Sequence, residues 1–111
     1  MLALKFSDLT VTDCIVNKLR NTDEVCCTFS KGFCRAIFEE NNFTPTNPEG
    51  FHDDSFVEGE LQFNFDRQTK DLVEVLLFPV YMVDGMWLNG MDFLNVEVSD
   101  EIVNKVREYL K

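Results

Sequence analysis

The chain has 111 residues, of which 45% are hydrophobic, and it carries 20 acidic and ten basic side chains, for a formal net charge of −10. This length suits one domain with a single hydrophobic core, and eleven Phe residues supply large side chains to fill it. A negative field of this size repels phosphate, which argues against direct binding to nucleic acid or to a membrane surface. It attracts a basic protein surface and speeds its association; the alternative is that the acidity only maintains solubility.

The charge is unevenly distributed along the chain. Residues 36–104 contain fifteen acidic side chains and only two basic ones, Arg67 and Lys70. The first residues are interrupted by charge too early for a signal peptide, and no apolar run approaches the roughly 18–20 residues of a membrane span. The four Cys residues contain no CxxC pair, so we expect reduced thiols, no disulfide needed for folding, and a cytoplasmic location.

The first forty residues predict a short helix and a hairpin. Residues 2–6 and 9–11 have the character of extended segments. Thr12 is a suitable N-cap, and Ile15 and Leu19 lie four residues apart, so we predict a helix over about 13–21. Residues 25–38 form one continuous apolar face if the chain reverses at Lys31-Gly32, which predicts a hairpin. Residues 39–55, with two prolines and five carboxylates, predict a long exposed loop of the kind that is often functional.

The stretch 56–83 predicts a long β-hairpin at the centre of the fold. Leu61, Phe63 and Phe65 alternate with polar residues, a polar break follows at 66–71, and a denser apolar run occupies 72–83. Pro79 lacks an amide hydrogen, so its strand should be bulged there or its Pro79 amide position should face solvent.

Two further turns and a helix complete the predicted fold. Asp84-Gly85 and Asn89-Gly90 predict turns that continue a meander through 86–88 and 91–98. Ser99 predicts the N-cap of a C-terminal helix, whose apolar stripe comprises Ile102, Val103, Val106, Tyr109 and Leu110. The predicted class is α+β, a single domain over residues 1–111. It consists of an antiparallel, hairpin-rich sheet of about five to seven strands with two short helices on one face, the second at the C-terminus.

A short internal similarity supports this assignment of two helices. Residues 11–20 and 98–107 are identical at seven of ten positions. Both segments predict a strand, a Ser/Thr-Asp cap and a short helix. Convergence of two helices that cover one sheet explains the similarity better than an ancient duplication, because the match does not extend further and gives no solenoid period.

The sequence contains little that points to catalysis or to a metal. His52-Asp53-Asp54 joins the single His to two carboxylates, but it lacks the ligand spacing of an EF-hand and no second His is available. A solvated acidic loop is the better interpretation, so we expect no metal and no cofactor. Nucleophilic catalysis by a thiol needs a His base, and the pattern places Cys27 and Cys34 in the core. Cys26, on the wetter face, is the thiol expected to react with an added reagent.

Carboxylates on the strands offer a second possible chemistry. Glu58 and Glu60 share the polar face of one predicted strand and Glu74 lies on its partner. A carboxylate pair can act as general acid and base, although alternating polar residues ordinarily form a solvated face. A small hydrolase or transferase that uses these surface carboxylates is therefore retained only as an alternative.

In size and charge alone, the chain is similar to small acidic inhibitor proteins that cover basic enzymes, such as bacterial immunity proteins against nuclease toxins and phage proteins that mimic DNA. We therefore expect a non-enzymatic binding protein that neutralises a basic protein partner, a toxin or nuclease domain. The alternatives are a phage-encoded inhibitor of host defence or DNA mimic, the small enzyme, and an assembly subunit. The expected partner-binding residues are acidic or aromatic and lie on or near the long loop and the turns: Glu49, Phe51, Asp53, Asp54, Glu58, Glu60 and Trp87.

Overall fold

A computed structural model describes residues 9–42, 56–89 and 93–110. These residues form an antiparallel sheet in the order β1-β2-β3-β4-β5, with a short strand β6 that also pairs with β4, and two α-helices. The predicted α+β class is confirmed. In chain order the elements are β1 (Leu9–Lys18), β2 (Thr22–Phe29), α1 (Lys31–Glu40), β3 (Phe56–Asp66), β4 (Leu72–Val83), β5 (Met86–Asn89), β6 (Leu94–Asn95) and α2 (Asp100–Arg107), followed by a 3-10 turn (Glu108–Leu110).

The predicted central hairpin is confirmed. β3 pairs antiparallel with β4 along most of its length, and it also pairs with β2 on its other side. Leu61, Phe63 and Phe65 are fully buried. The side chain of Asp66 begins the connecting turn by accepting hydrogen bonds from the backbone N–H groups of Gln68 and Thr69, both at 2.9 Å. These hydrogen bonds hold the pKa of Asp66 below its usual value.

The predicted Asp84-Gly85 turn is also confirmed. Asp84 and Gly85 have φ angles of 52° and 78°, the left-handed conformation that a two-residue hairpin turn requires at both positions. The turn joins β4 to β5, which pairs with the Val80–Val83 part of β4. The second predicted turn, at Asn89-Gly90, extends outside the described residues.

The last strand departs from the predicted meander. β6 contains two residues instead of the eight predicted over 91–98, and it pairs with Leu76 and Leu77 of β4 rather than with β5. β5 and β6 thus share one edge of β4. Among the described pairs, neither of them covers Phe78 or Pro79, while Pro79 lies opposite Gly59 of β3. A proline is therefore tolerated here because this stretch of the edge uses no ladder hydrogen bond to β5 or β6.

The helix predicted over about 13–21 is wrong. Residues 13–18 belong to β1, where Val16 pairs with Val25 of β2. The β-branched pair Ile15-Val16 suits a strand, and in β1 its two side chains lie on opposite sides of the sheet, so that Ile15 is 62% exposed while Val16 contacts the core. The first helix of the fold is α1 instead.

The hairpin predicted over 25–38 is wrong in its second half. Ser30 is the N-cap of α1, and its Oγ accepts a hydrogen bond from the backbone N–H of Phe33 at 3.4 Å. The apolar residues Cys34, Ile37 and Phe38 are buried along one side of the helix. Their spacing suits a helix as well as a strand, and β2 finds its partners in β1 and β3. Residues 39–40 of the predicted loop end α1, whereas residues 43–55, like the extended segment predicted at 2–6, lie outside the described residues.

The C-terminal helix is confirmed with its predicted cap. Ser99 Oγ accepts a hydrogen bond from the backbone N–H of Ile102 at 3.4 Å, and Ile102, Val103 and Val106 are buried. The two similar segments of the sequence therefore adopt different structures, a strand over 11–18 and a capped helix over 99–107. The predicted cap and helix are right for the second segment and wrong for the first.

Both helices pack on the same face of the sheet, although the first of them is α1 and not the helix predicted over 13–21. Their buried side chains join those of the three central strands in one hydrophobic cluster, which contains Val25, Cys27, Cys34, Ile37, Phe38, Phe56, Leu61, Phe63, Phe65, Val75, Leu77, Val96, Ile102, Val103 and Val106.

We expect Phe63→Ala to lower the free energy of unfolding by about 3–5 kcal/mol, since it removes a fully buried ring from the middle of the core. Val73→Ala, at a 60% exposed position of β4, is the control and should change stability by no more than about 0.5 kcal/mol. Urea denaturation measures both. A loss below about 1 kcal/mol for Phe63→Ala would contradict the register of β3.

Candidate functional site

The side of the sheet away from the two helices is the polar face of the fold. We call it the helix-free face. It is formed by the residues of β1 to β4 that alternate with the core residues. Its members include Ile15, Asn17, Glu24, Cys26, Thr28, Glu58, Glu60, Gln62, Asn64, Glu74, Leu76 and Phe78. Four of these described residues are carboxylates and none is basic, so the face is anionic.

Side-chain amides, rather than bases, accompany the carboxylates of this face. Asn17 Nδ2 donates to Glu24 Oε1 at 3.3 Å across β1 and β2, and Gln62 Nε2 donates to Glu60 Oε2 at 3.0 Å along β3. An amide orients a carboxylate by a hydrogen bond but leaves its negative charge in place. The described residues of the face therefore combine ordered carboxylates with a net negative charge.

Asn64 lies between two of these carboxylates. In the sheet register it is opposite Glu24 of β2 on one side and Glu74 of β4 on the other. Its Nδ2 donates to Glu74 Oε2 at 3.0 Å, which fixes the orientation of the amide because a carboxylate can only accept. The remaining oxygen, Oδ1, is buried and accepts no hydrogen bond. A buried acceptor without a donor is costly.

Cys26 lies on the helix-free face, as predicted, yet it is only 7% exposed. Its thiol donates to Glu24 Oε1 at 3.2 Å. Burial raises the pKa of Cys26, and the neighbouring Glu24 and Glu60 raise it further. The prediction that Cys26 is the most reactive thiol is therefore wrong.

The two core thiols are equally unsuited to nucleophilic chemistry. Burial raises the pKa of Cys27, and it raises the pKa of Cys34 to about 12. The thiolate is the reactive form of cysteine, so neither side chain is a strong nucleophile at neutral pH.

Aromatic side chains border the acidic part of the face. Phe78 lies opposite Glu60 in the register, and its ring is 5.5 Å from that of Phe93, which is 46% exposed. Rings of this kind beside charged groups suit the anchors of a protein interface. Sequence reasoning did not find this pair, because Phe93 comes beside Phe78 only through the unpredicted pairing of β6 with β4.

The two bases of the acidic stretch 36–104 are engaged elsewhere. Asp23 is buried, and it forms ion pairs with Arg67 (3.2 Å) and Lys70 (3.1 Å) at the end of the sheet where the β1–β2 and β3–β4 turns lie. Arg67 also donates to the backbone oxygen of Leu19, and Arg107 Nε donates to the backbone oxygen of Lys70 at 2.9 Å. This cluster joins both turns to α2 and holds positive charge away from the helix-free face.

The predicted partner-binding residues are only partly placed by the structure. Glu58 and Glu60 lie on the helix-free face, as predicted, with Glu74 on the neighbouring strand. Trp87 lies in β5 opposite Met82, and its side chain is not among the described ones. The other four, Glu49, Phe51, Asp53 and Asp54, lie outside the described residues, as does His52.

Few other features suggest chemistry in the part of the chain that the structure describes. It contains no group of three or more His, Cys, Asp or Glu side chains placed to hold a metal ion. A polar depression lies between the two turns and is lined by Arg20, Asn21, Asp66, Arg67 and Gln68. None of the described helices is long and apolar enough to cross a membrane.

Comparisons of the chain with protein-family models, with curated proteins and with solved structures return no match.

We expect Asp23→Asn to destabilise the protein at pH 7, with the difference from the wild type disappearing in acid. The hydrogen bond from Lys70 and that from Arg67 hold the pKa of Asp23 below its usual value. A carboxyl with a lowered folded-state pKa stabilises the fold above its unfolded pKa of about 3.9, and this contribution is lost as the pH falls through the folded value.

Urea denaturation at pH 7 and at pH 3 measures this effect. Asp71→Asn, at an exposed position after the same β3–β4 turn, is the control and should change stability little at either pH. An Asp23→Asn variant as stable as the wild type at pH 7 would contradict a structural role for the ion-pair cluster.

Proposed function

We propose that this protein is a non-enzymatic binding protein that captures a basic protein partner on its helix-free face. The observation that carries the proposal is the separation of charge. The described residues of that face include four carboxylates and no base, while Arg67 and Lys70 are ion-paired to Asp23 at the end of the sheet. A surface of one sign raises the rate at which an oppositely charged partner associates.

The arrangement of the polar groups supports binding rather than general acid–base catalysis. Glu24, Glu60 and Glu74 each accept a hydrogen bond from a neighbouring amide, and they are spread over three strands instead of meeting around one reacting position. Asn64 Oδ1 adds a buried acceptor that lacks a donor. An arginine or lysine of the partner placed over Asn64, between Glu24 and Glu74, would have a carboxylate on each side.

The most specific form of the proposal is an immunity protein that neutralises a nuclease-type bacterial toxin. Nuclease surfaces are basic because they bind phosphate, so an anionic face competes directly for that surface. A phage-encoded inhibitor of host defence or a DNA mimic would use the same complementarity. These forms differ in the identity of the partner, which its capture would reveal.

We expect the double variant Glu58→Lys/Glu60→Lys to slow association with the partner about tenfold or more at low salt. The same variant should show a flatter dependence of the association rate on salt, because the charges of the helix-free face then no longer steer the encounter. The partner is isolated by affinity capture from the native host on the immobilised wild-type chain, and rates are then measured by surface plasmon resonance at low and high salt.

The control is Glu101→Lys/Glu108→Lys, which makes the same change of net charge at exposed positions of α2 and the 3-10 turn that follows it. If the control slows association as much as the double variant, net charge and not this face governs binding. An acidic partner, or an association rate that does not respond to salt, would refute electrostatic capture and would favour the enzyme or assembly alternatives.

A further inference from the structure

Two cysteines face each other across β1 and β2. Cys14 Sγ and Cys27 Sγ lie 2.7 Å apart, closer than two non-bonded sulfur atoms ordinarily lie, whereas a disulfide bond measures about 2.05 Å. Both thiols are reduced in the structure. A small movement of either side chain would bring the two sulfur atoms to bonding distance.

The strand register explains this approach. Val16 pairs with Val25 and Ile15 with Cys26, and Cys14 and Cys27 are the next residues along the two strands. Directly opposed residues of a regular antiparallel pair have Cβ atoms about 4.5–5.5 Å apart, but a disulfide needs about 3.5–4.5 Å. The register of β1 shifts between Thr10 and Ile15, so Cys14 lies in the irregular part of the strand, where the regular Cβ spacing does not apply.

The other two cysteines are not placed to compete for this bond. Cys26 is on the helix-free face and donates to Glu24, whereas Cys27 belongs to the core on the opposite side of the sheet. Cys34 lies in α1, and its thiol donates to the backbone oxygen of Phe78 at 3.9 Å.

Cys14 and Cys27 differ in their exposure to solvent. Cys14 is half-buried and Cys27 is fully buried. An oxidant that approaches from solvent therefore reaches Cys14 first, and Cys27 meets it only through Cys14. This order suits a two-step exchange, in which an exposed thiol reacts first and a buried one completes the bond.

We propose that Cys14 and Cys27 form a reversible cross-strand disulfide that links β1, an edge strand of the described sheet, to β2. The oxidant is a small-molecule disulfide such as oxidised glutathione. Cys14 loses its proton and attacks one sulfur of the reagent, which forms a mixed disulfide and releases one thiolate.

The second step closes the protein disulfide. Burial raises the pKa of Cys27, which makes it a poor nucleophile toward reagents in solution, but its sulfur already lies 2.7 Å from Cys14 Sγ, so a small thiolate fraction is enough for this intramolecular step. Cys27 loses its proton and attacks Cys14 Sγ, which breaks the mixed disulfide and releases the second thiolate. Both leaving groups take up the protons released by the two cysteines. In total, two protein thiols are oxidised by two electrons and one reagent disulfide is reduced to two thiols.

We expect the disulfide to hold β1 against β2 and to stabilise the folded chain. A bond between positions 14 and 27 closes the whole β1–β2 turn into a covalent loop, which restricts the unfolded chain and stabilises the folded one. This inference goes beyond the proposed function and holds whether or not a basic partner exists.

The test is to equilibrate the purified protein in buffers of reduced and oxidised glutathione, quench with acid, and alkylate the remaining thiols. We expect the oxidised chain to be lighter by two hydrogens, to accept two alkyl groups instead of four, and to yield a peptide that links Cys14 to Cys27. Its urea midpoint should be higher than that of the reduced chain, and added dithiothreitol should reverse every change.

Three variants make the test specific. Cys26→Ser is the matched control and should still form the bond, whereas Cys14→Ser should lose it and Cys27→Ser should instead retain a glutathione adduct at Cys14. A stable glutathione adduct in the wild type, a bond that includes Cys26 or Cys34, a disulfide between two chains, or an unchanged or lower urea midpoint would each overturn the proposal.

Discussion

The alternation of side chains along β3 is the constraint on which both faces of the sheet depend. Leu61, Phe63 and Phe65 are fully buried against the helices, so Gln62 and Asn64 between them must lie on the helix-free face. A slip of one residue would exchange the two sets. Burial of three large side chains therefore determines where the polar rows form. Hydrogen bonds such as Asn64 to Glu74, each worth about 0.5–1.5 kcal/mol, would not determine this register alone.

The same register separates the charges of the molecule. Asp23 lies opposite Phe65 on the core side of β2, where burial makes its ion pairs with Arg67 and Lys70 part of the fold. The neighbouring Glu24 faces the other way and keeps an amide, Asn17, as its partner. Two consecutive acidic residues thus have different roles, one in joining the turns and one in the electrostatics of the helix-free face.

The sequence was a good guide where local pattern and tertiary structure agree, as in β3, in the Asp84-Gly85 turn and at the Ser99 cap. It failed where identical residues adopt different structures. At residues 15–16 the side chains of the Ile-Val pair lie on opposite sides of the sheet. At residues 102–103 the side chains of the same pair are both buried in α2. Tertiary contacts determine whether the segment forms a strand or a helix, and the local sequence does not distinguish the two. Likewise, Glu58 and Glu60 could be placed from alternation alone, whereas the position of Asn64 between two carboxylates depends on pairing with β2.

If a basic partner contacts the helix-free face, the environment of the side-chain amides on that face changes when it binds. In an NMR titration with the captured partner, we expect the side-chain amide resonances of Gln62 and Asn64 to shift or broaden. Those of Asn104, whose Oδ1 accepts a hydrogen bond from Arg107 on α2, should remain unchanged. Shifts confined to Asn104 and the helices, with Gln62 and Asn64 unperturbed at saturation, would show that the partner does not contact the helix-free face.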